Sequence, residues 1–215
     1  MTESEQRLQQ LTNAVLAGDP EQTRQKTNAA LAEATPNEVL DAVIEGVNIL
    51  LDLNELGGAD QNRLVGAEGA INSCLQILEP TIAASEGKFD FAATVGPIGL
   101  EWGHLLSMSV AALLRSVGLH ASNLSKTKTT LELLRNSEEL RADLVLPLLP
   151  KEDLEAQLLS LKDEIERGGF AGKFHIIPVA RGLPESTSLP LPVAKNVAEG
   201  VSKALEWAIK NSVED

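Results

Sequence analysis

The sequence predicts an α/β protein, in which an N-terminal four-helix bundle precedes a Rossmann-like (flavodoxin-like) domain with a doubly wound parallel sheet. Two observations indicate this fold class. Apolar residues recur at the three- and four-residue spacing of amphipathic helices up to about residue 80, and from residue 89 onward short apolar runs alternate with further such helices. We expect the helical bundle to span residues 1–86 and the sheet domain to span residues 87–215.

Composition and charge narrow the class of protein. The chain has 215 residues, of which 43% are hydrophobic, enough to bury one large core or two smaller ones. A formal net charge of -13 argues against a nucleic-acid or anionic-membrane partner, because phosphate-rich surfaces attract clusters of Lys and Arg. No apolar run is long enough to span a bilayer. The single cysteine, Cys74, cannot form an internal disulfide, which predicts a reducing compartment and hence the cytoplasm.

The first two helices are predicted from one apolar stripe and one turn. Leu8, Leu11, Ala14 and Val15 follow one helical face. The tripeptide at 18–20, Gly-Asp-Pro, ends the first helix and starts the second, with the aspartate as N-cap and the proline at the first helical position.

The third and fourth helices have equally clear boundaries. The segment TPNE at 35–38 is a capping box with proline in its first turn, and Gly57-Gly58 ends the helix that follows. Asp60 is expected to cap a fourth helix that Pro80 closes, and residues 84–88 read as a linker. The predicted apolar side of this helix consists of Leu64, Val65, Ile71, Cys74, Leu75 and Leu78.

Beyond the linker, strands and helices alternate. The predicted strands are 89–95, 119–124, 143–149 and 174–179; the predicted helices are 105–117, 128–140, one that Pro150 opens and Gly168-Gly169 ends, and 193–209. A proline-rich segment at 183–192 precedes the last helix. Short apolar strands separated by amphipathic helices predict a parallel sheet buried on both faces.

The loop after the first strand is the expected ligand site, because ligands of open α/β sheets bind at the carboxyl ends of the strands. Gly96, Pro97 and Gly99 lie in this loop, but no Gly-Lys-Ser/Thr follows to make a phosphate loop. The sequence contains no Gly-x-Ser-x-Gly elbow, no cysteine pair and only three histidines. Any chemistry is therefore expected to be carried by a bound cofactor.

Segments in both halves resemble one known family. The helical half contains LTNAVLAGDPEQTRQKTNAALAEATPNEVLDAVIEGVNILL, with an AVxxGD-type turn and a PxEVLD-type segment, and later INSCLQILEP; the sheet half contains VAALLRSVGLHASNL. In this order they resemble corrinoid (cobalamin, B12-binding) proteins of methyltransferase systems. The resemblance implies a cobalamin held between bundle and sheet. It also implies a non-catalytic subunit that presents cobalt to a methyltransferase and to a reactivating partner protein.

The metal-ligand motif of that family is degenerate here. The family carries Asp-x-His-x-x-Gly in the first loop, with the histidine as lower cobalt ligand and the aspartate orienting it. The motif positions fall on Glu101, Gly103 and Leu106 in one register, and the ligand position falls on Leu100 in the other. His104 lies one place late, so the resemblance leaves it as a shifted metal ligand oriented by Glu101. The alternative is a solvated or capping histidine at a helix start.

The remaining candidate contacts come from neighbouring loops. Trp102 either stacks on a flat macrocycle or packs between bundle and sheet. Ser125 and Thr127 form a polar loop after the second strand, where a ligand at the sheet edge would be reached. The resemblance places the cofactor's nucleotide tail near Leu148, where the family's Ser-x-Leu is replaced by LVLPLLP, and near Gly182, the remnant of a Gly-Gly pair. The predicted cofactor-binding set is Gly99, Glu101, Trp102, Gly103, His104, Ser125, Thr127, Leu148 and Gly182.

Several alternatives stay open. The first is a corrinoid-binding methyl carrier without the usual lower histidine. The second is a divergent member of the fold that acts as a sensor, carrier or binding module for cobalamin or another tetrapyrrole, and the third is a scaffold without cofactor. His120, His175 and Cys74 are expected to be structural residues. An apolar bundle face around residues 43, 47 and 50 is a candidate cofactor cap or homodimer contact.

Overall fold

The computed structural model describes residues 2–181 and 191–212, and the chain divides into two compact units, Met1–Ser85 and Glu86–Asp215. The first unit consists of four helices with short connections. These are α1 (Glu3–Ala17), α2 (Pro20–Ala30), α3 (Pro36–Glu55) and α4 (Gln61–Ser85). The predicted helical bundle is therefore confirmed as the first half of the fold.

The boundaries of α2 and α3 follow from the predicted capping residues. Asp19 accepts a hydrogen bond from the backbone N–H of Gln22 at 2.9 Å, with Pro20 in the first helical position. Thr35 caps α3, and its backbone N–H donates to the Glu38 carboxylate at 2.7 Å, which completes the capping box.

The turn between α1 and α2 passes against α4 at a pair of glycines. Gly18 ends α1 in the left-handed conformation (φ 67°), and a Cβ on it would lie 2.6 Å from the carbonyl oxygen of Arg63. A Cβ on Gly66 would likewise meet the Gly18 carbonyl. Both positions therefore require glycine so that the two backbones can approach closely.

Two predictions for α4 are wrong. The helix continues through Pro80 to Ser85, because Pro80 lies on the exposed side, where the carbonyl that loses its N–H partner can be solvated, and the last turn still buries Ile82. Residues 84 and 85 consequently belong to the helix rather than to a linker. Val65, predicted to face the core, is 60% exposed.

Residues Val43, Val47 and Leu50 of α3 are fully buried, at 0% exposure each. They are part of the hydrophobic core and do not form an exposed apolar face. In this conformation the three side chains are not exposed to a cofactor or to a second copy of the chain, and the homodimer stays a prediction.

The second unit alternates strands and helices, as predicted. The described elements are β1 (Ala92–Pro97), α5 (Gly103–Ser116), β2 (His120–Asn123), α6 (Thr130–Glu139), β3 (Leu144–Leu149), α7 (Leu154–Arg167), β4 (His175–Ile176), β5 (Val179–Ala180) and α8 (Val197–Ser212). All pairings are parallel, in the order β2-β1-β3-β4, and β5 continues the line of β4 against β3. Helix α5 contacts α8, whereas α6 contacts α7. This arrangement confirms the doubly wound parallel sheet.

Some boundaries differ from the sequence prediction. The first strand starts at Ala92 rather than residue 89 and extends through Gly96 and Pro97, because these two residues pair with β3 instead of forming a loop. Pro150 does not open α7, whose N-cap is Asp153 in the left-handed conformation (φ 53°). The spacing of apolar residues predicts which side chains are buried. The ends of a strand depend instead on its hydrogen-bond partners, which lie elsewhere in the chain.

The last predicted strand, 174–179, is interrupted. Ile177 and Pro178 separate β4 from β5. At the outer edge of β5, Val179 forms a single parallel bridge with Ala194. Most of the predicted proline-rich segment lies outside the described residues. In residues 2–181 and 191–212 there is no helix long and apolar enough to cross a membrane.

Candidate functional site

The connection between β1 and α5, the predicted ligand loop, is folded against the sheet. Ile98 donates its backbone N–H to the carbonyl oxygen of Leu148 at 2.9 Å, which extends the β1–β3 pairing by one residue. The Ile98 side chain is 2% exposed and belongs to the core cluster formed with α6 and α7, and Leu100 is also buried. The first part of the loop is therefore part of the hydrophobic core and presents no polar side chain to a ligand.

Two of the three glycines that the sequence assigns to cofactor binding, Gly99 and Gly103, are required by the conformation and packing of the loop. Gly99 has φ 61°, and a Cβ on it would lie 3.0 Å from the side-chain nitrogen of Gln157. A Cβ on Gly103 would lie 2.5 Å from Pro97 Cβ. Both glycines shape the loop; Gly103 is buried, whereas Gly99 is exposed.

Helix α5 begins with an unusual N-cap. Trp102 adopts the left-handed conformation (φ 58°, ψ 11°), which is rare for a bulky residue and marks local backbone strain. Its indole has no acceptor atom with which to cap the helix. The strain is retained at the carboxyl end of a central strand, where ligands of this fold class bind.

Trp102 and His104 form an accessible aromatic pair at this helix start. Their ring centroids are 5.6 Å apart with an interplanar angle of 38°. Both side chains are half-buried, and Glu101 beside them is exposed. The pair offers a flat apolar surface next to an imidazole nitrogen that can ligate a metal.

The residues at the family's histidine position lie in the interior. This position falls on Gly103 in one register and on Leu100 in the other, and both are buried, whereas Glu101 at the aspartate position is exposed. Within residues 2–181 and 191–212, no group of three or more His, Cys, Asp or Glu side chains could hold a metal ion.

A polar groove lies at the carboxyl end of β2. It has a volume of about 670 Å³ and is lined by Asn123, Ser125, Lys126, Thr127, Lys128, Glu132 and others. Ser125 is partly exposed in it, whereas Thr127 is buried and donates its hydroxyl to the Leu124 carbonyl at 2.8 Å. Ser125 is therefore available to a ligand, and Thr127 holds the turn that shapes the groove.

The start of α6 beside this groove is already capped. The Glu132 carboxylate accepts hydrogen bonds from the backbone N–H groups of Lys128 at 2.9 Å and Thr129 at 3.3 Å. The Thr129 hydroxyl completes a capping box with the Glu132 N–H. The helix N-terminus consequently has its own carboxylate in the position where an anion would bind.

Two close contacts of β1 were not identified from the sequence, one with α5 and β2 and one with α6 and the loop that precedes it. The buried Ser107 hydroxyl lies 3.0 Å from the Val95 carbonyl oxygen and in hydrogen-bond contact with the Asn123 side chain. A Cβ on Gly96 would lie 2.7 Å from Leu133 Cδ1 and 2.9 Å from Thr127 Oγ1. The position of Ser107 within an apolar helix face could have indicated a buried hydrogen bond. Nothing in the sequence around Gly96 indicated its close contacts.

The predicted contacts to a nucleotide tail cannot both be placed. The Leu148 side chain is 0% exposed, and its carbonyl accepts from Ile98. Gly182 lies outside the described residues. In this conformation, Leu148 is a core residue.

The other residues singled out in the sequence lie away from this loop. His120 is exposed, with Nδ1 3.7 Å from a Glu86 carboxylate oxygen, and His175 is exposed at the start of β4. Cys74 is buried in α4, where burial raises the pKa of its thiol to about 11 despite a hydrogen bond with Thr27.

The accessible part of the site fits a flat group with a metal ligated by imidazole, as a corrinoid would require. Glu101, Trp102, His104 and Ser125 are at least partly exposed at the ends of β1 and β2. Gly103, Thr127 and Leu148 are buried and would support these residues rather than contact the group.

No protein-family model matches the sequence, and no curated protein matches it either. Among solved structures, the chain is similar to the monomethylamine corrinoid protein of Methanosarcina barkeri, with a TM-score of 0.61 at 14% identity over 94% of this chain and 99% of that one. A cobalamin-binding protein of Desulfitobacterium hafniense matches with a TM-score of 0.44 at 14% identity, over 93% of this chain and 98% of that one. The methanol:cobalamin methyltransferase complex of Methanosarcina barkeri matches with a TM-score of 0.46 at 12% identity, over 95% of this chain and 80% of that one. The first likeness establishes a shared fold.

Proposed function

We propose that this chain binds a corrinoid cofactor at the carboxyl ends of β1 and β2, as a cofactor-carrying protein rather than an independent enzyme. The observation that carries this proposal is the strained, accessible Trp102–His104 pair at the start of α5. It occurs in a fold shared, along nearly the whole chain, with a monomethylamine corrinoid protein. The predicted fold and the accessible imidazole thus support the same group of ligands.

Each accessible side chain has a role in this proposal. His104 provides the imidazole that ligates the metal, and Glu101, three residues earlier and exposed, is the carboxylate that could orient it. Trp102 provides a flat apolar surface, and Ser125 a hydroxyl from the polar groove. Gly99 and Gly103 keep the loop compact beneath them. A corrinoid, when bound, supplies a cobalt centre that can accept and release a methyl group.

The expected partners follow from the resemblance in the sequence. A methyl carrier does not turn over alone, so it requires a methyltransferase and a protein that reactivates the cofactor. A reducing, cytoplasmic setting is part of the same proposal.

A second candidate function is favoured by the interior position of the motif residues. The family's ligand position falls on Gly103 or Leu100, depending on the register, and both residues are buried and have no metal-ligating side chain. A chain that has lost the usual lower ligand could act as a sensor, carrier or binding module for cobalamin or another tetrapyrrole without transferring methyl groups.

Cofactor binding is tested by mixing the purified protein with hydroxocobalamin, removing free cofactor by desalting, and recording the visible spectrum. We expect retained colour, and a spectrum that changes in His104→Ala but not in the matched control His120→Ala. Absence of retained colour would contradict both corrinoid proposals. A spectrum unchanged in His104→Ala would exclude His104 as the metal ligand.

Ligand preference distinguishes a corrinoid-specific protein from a module that binds tetrapyrroles in general. A corrinoid carrier should retain hydroxocobalamin and release haemin on desalting, whereas a general tetrapyrrole-binding module should retain both. Trp102→Leu should weaken retention in either case, because both ligands present a flat macrocycle to the indole.

A further inference from the structure

A second cavity lies along the outer edge of β4, on the side of the sheet order opposite to β2. It has a volume of about 410 Å³, within the range of small-molecule pockets. Its lining comes from β4, the segment before α8, α7 and α8 itself. The residues that matter here are His175, Ile176, Pro178, Pro192, Trp207 and Lys210.

Two prolines explain why this groove exists. Ala180 donates its N–H to the Ala194 carbonyl at 2.9 Å, and Ala194 donates to the Pro178 carbonyl at 2.8 Å, as in a parallel ladder. Continuing that ladder toward the strand starts would require the N–H groups of Pro178 and then Pro192, which proline lacks. The segment that contains Ala194 therefore cannot pair with β4, and a groove is left beside Ile176 and Ile177.

The same ladder orients one backbone donor and one acceptor toward the groove. His175 donates its N–H to the Asp143 carbonyl at 2.8 Å, and Ile177 donates to the Val145 carbonyl at 2.9 Å, so both face β3. In a strand, the intervening residue presents its N–H and C=O to the opposite edge. Ile176, which lines the groove, thus offers an adjacent donor and acceptor on that side.

An aromatic wall lies beside this edge. His175 and Trp207 stack with ring centroids 5.7 Å apart and an interplanar angle of 13°. Phe91 contacts Trp207 edge-on at 5.0 Å and supports the indole. Partial desolvation of the imidazole lowers the pKa of His175 from its usual value.

The charges around the groove are nearly balanced. Lys203 is paired with Glu199 at 2.7 Å, and the rim also carries Lys210 and the oppositely charged Glu206. A neutral ligand is therefore favoured over a strongly charged one.

We propose that this groove binds a neutral purine nucleoside. The exocyclic amino group of the base donates to the Ile176 carbonyl, the adjacent ring nitrogen accepts from the Ile176 N–H, and the flat base packs against the Trp207 wall. A purine nucleoside has a flat ring that can pack against the indole of Trp207. It also has a donor next to an acceptor, which complements the carbonyl and N–H of Ile176. The groove shares no residue with the corrinoid site, so each proposal stands without the other.

The test is calorimetric titration of the full chain with adenosine, compared with purine riboside, which lacks the amino group. We expect saturable binding of adenosine and at least threefold weaker binding of purine riboside, since one hydrogen bond is lost. Trp207→Leu should weaken adenosine binding about tenfold, in line with base–aromatic stacking. The control Leu140→Ala removes an exposed apolar side chain in the same unit and should leave the Kd within about twofold.

Three results would overturn the proposal. These are no saturable heat with adenosine at millimolar concentration, equal affinity for adenosine and purine riboside, and unchanged affinity in Trp207→Leu. Trp207→Phe keeps an aromatic ring in the wall and should retain most of the affinity, so a folding defect in the leucine variant does not remove the test. The purine riboside comparison uses the unaltered chain and is decisive by itself.

Discussion

The hydroxyl groups of Thr94 on β1 and Ser137 on α6 lie 2.7 Å apart in the core of the second unit. Both residues are buried, and the Ser137 hydroxyl also lies 2.7 Å from the Leu133 carbonyl oxygen. This polar contact joins the central strand to a covering helix within an apolar layer. The Thr94 hydroxyl also lies 3.5 Å from the Leu144 carbonyl oxygen, so the bond between the two hydroxyls adds to a backbone contact that each of them makes.

We expect Thr94→Val to lower the free energy of unfolding by about 1 kcal/mol, the usual value of one buried hydrogen bond. Ser137→Ala should have a similar effect. The double variant should be less destabilised than the sum of the two, because each single variant already removes the one hydrogen bond that the two hydroxyls share. Urea unfolding of all four proteins measures the coupling; strictly additive losses would show that the contact contributes nothing.

Gly96 is the second position where we expect a specific effect. Gly96→Ala should destabilise the chain by about 1–3 kcal/mol, because the added methyl group collides with Leu133 and Thr127 in a closely packed interior. The matched control is Gly58→Ala, where the nearest atom to an added Cβ is the Leu53 carbonyl oxygen at 3.5 Å. Equal thermal stability of the two variants would contradict the packing described for the first strand.

The capping box of α3 should make stability depend on pH. The Thr35 backbone N–H and, to a lesser extent, its hydroxyl lower the pKa of Glu38 below its usual 4.5. A lowered pKa in the folded state means that the stabilisation is complete above pH 4.5 and is lost as pH falls through the folded value.

Glu38→Gln should therefore be less stable than the unaltered chain at pH 7, and the difference should shrink at pH 3. Urea unfolding at both pH values measures this. A difference that stays constant between pH 7 and pH 3 would rule out the ionised carboxylate as the source of the effect.

Thr35→Ala removes the other half of the capping box. We expect a loss of about 1 kcal/mol in the free energy of unfolding, as for other N-cap threonines. Thr35→Ser keeps the hydroxyl and should restore most of the loss. A serine variant as unstable as the alanine variant would show that the hydroxyl is not the stabilising group.

Cys74 should be unreactive in the native protein. Its thiol is buried and its pKa is raised to about 11, so almost no thiolate exists at pH 8. We expect no labelling by Ellman's reagent within the time of complete labelling in urea. Rapid labelling of the folded chain would mean that α4 opens locally at this position.

The sequence predicted the secondary structure well where local chemistry decides it. Asp19, Thr35 and Asp60 each cap a helix, as their side-chain contacts show. The prediction failed at Pro80, where an exposed proline is tolerated within a helix, and at Pro178, where it interrupts a strand. In both cases the outcome depends on whether the group that loses a hydrogen bond faces solvent or a neighbouring strand.

For the candidate site, the sequence predicted a ligand loop that contains Trp102 and His104, and both side chains are partly exposed. It did not separate them from Thr127 and Leu148, which the fold places in the interior. Spacing along the chain indicates which residues reach one end of a sheet, but only the packing of the covering helices determines which of them face solvent.

By itself, the sequence determined the order of helices and strands, most of the helix caps and the fold class, because these depend on contacts within a few residues. The tertiary structure decided that Gly96 must lack a side chain, that the first part of the predicted ligand loop belongs to the hydrophobic core, and that two prolines open a groove beside β4. These features arise where segments distant in sequence meet. No local pattern of side chains specifies them, since each depends on atoms that only the folded chain brings together.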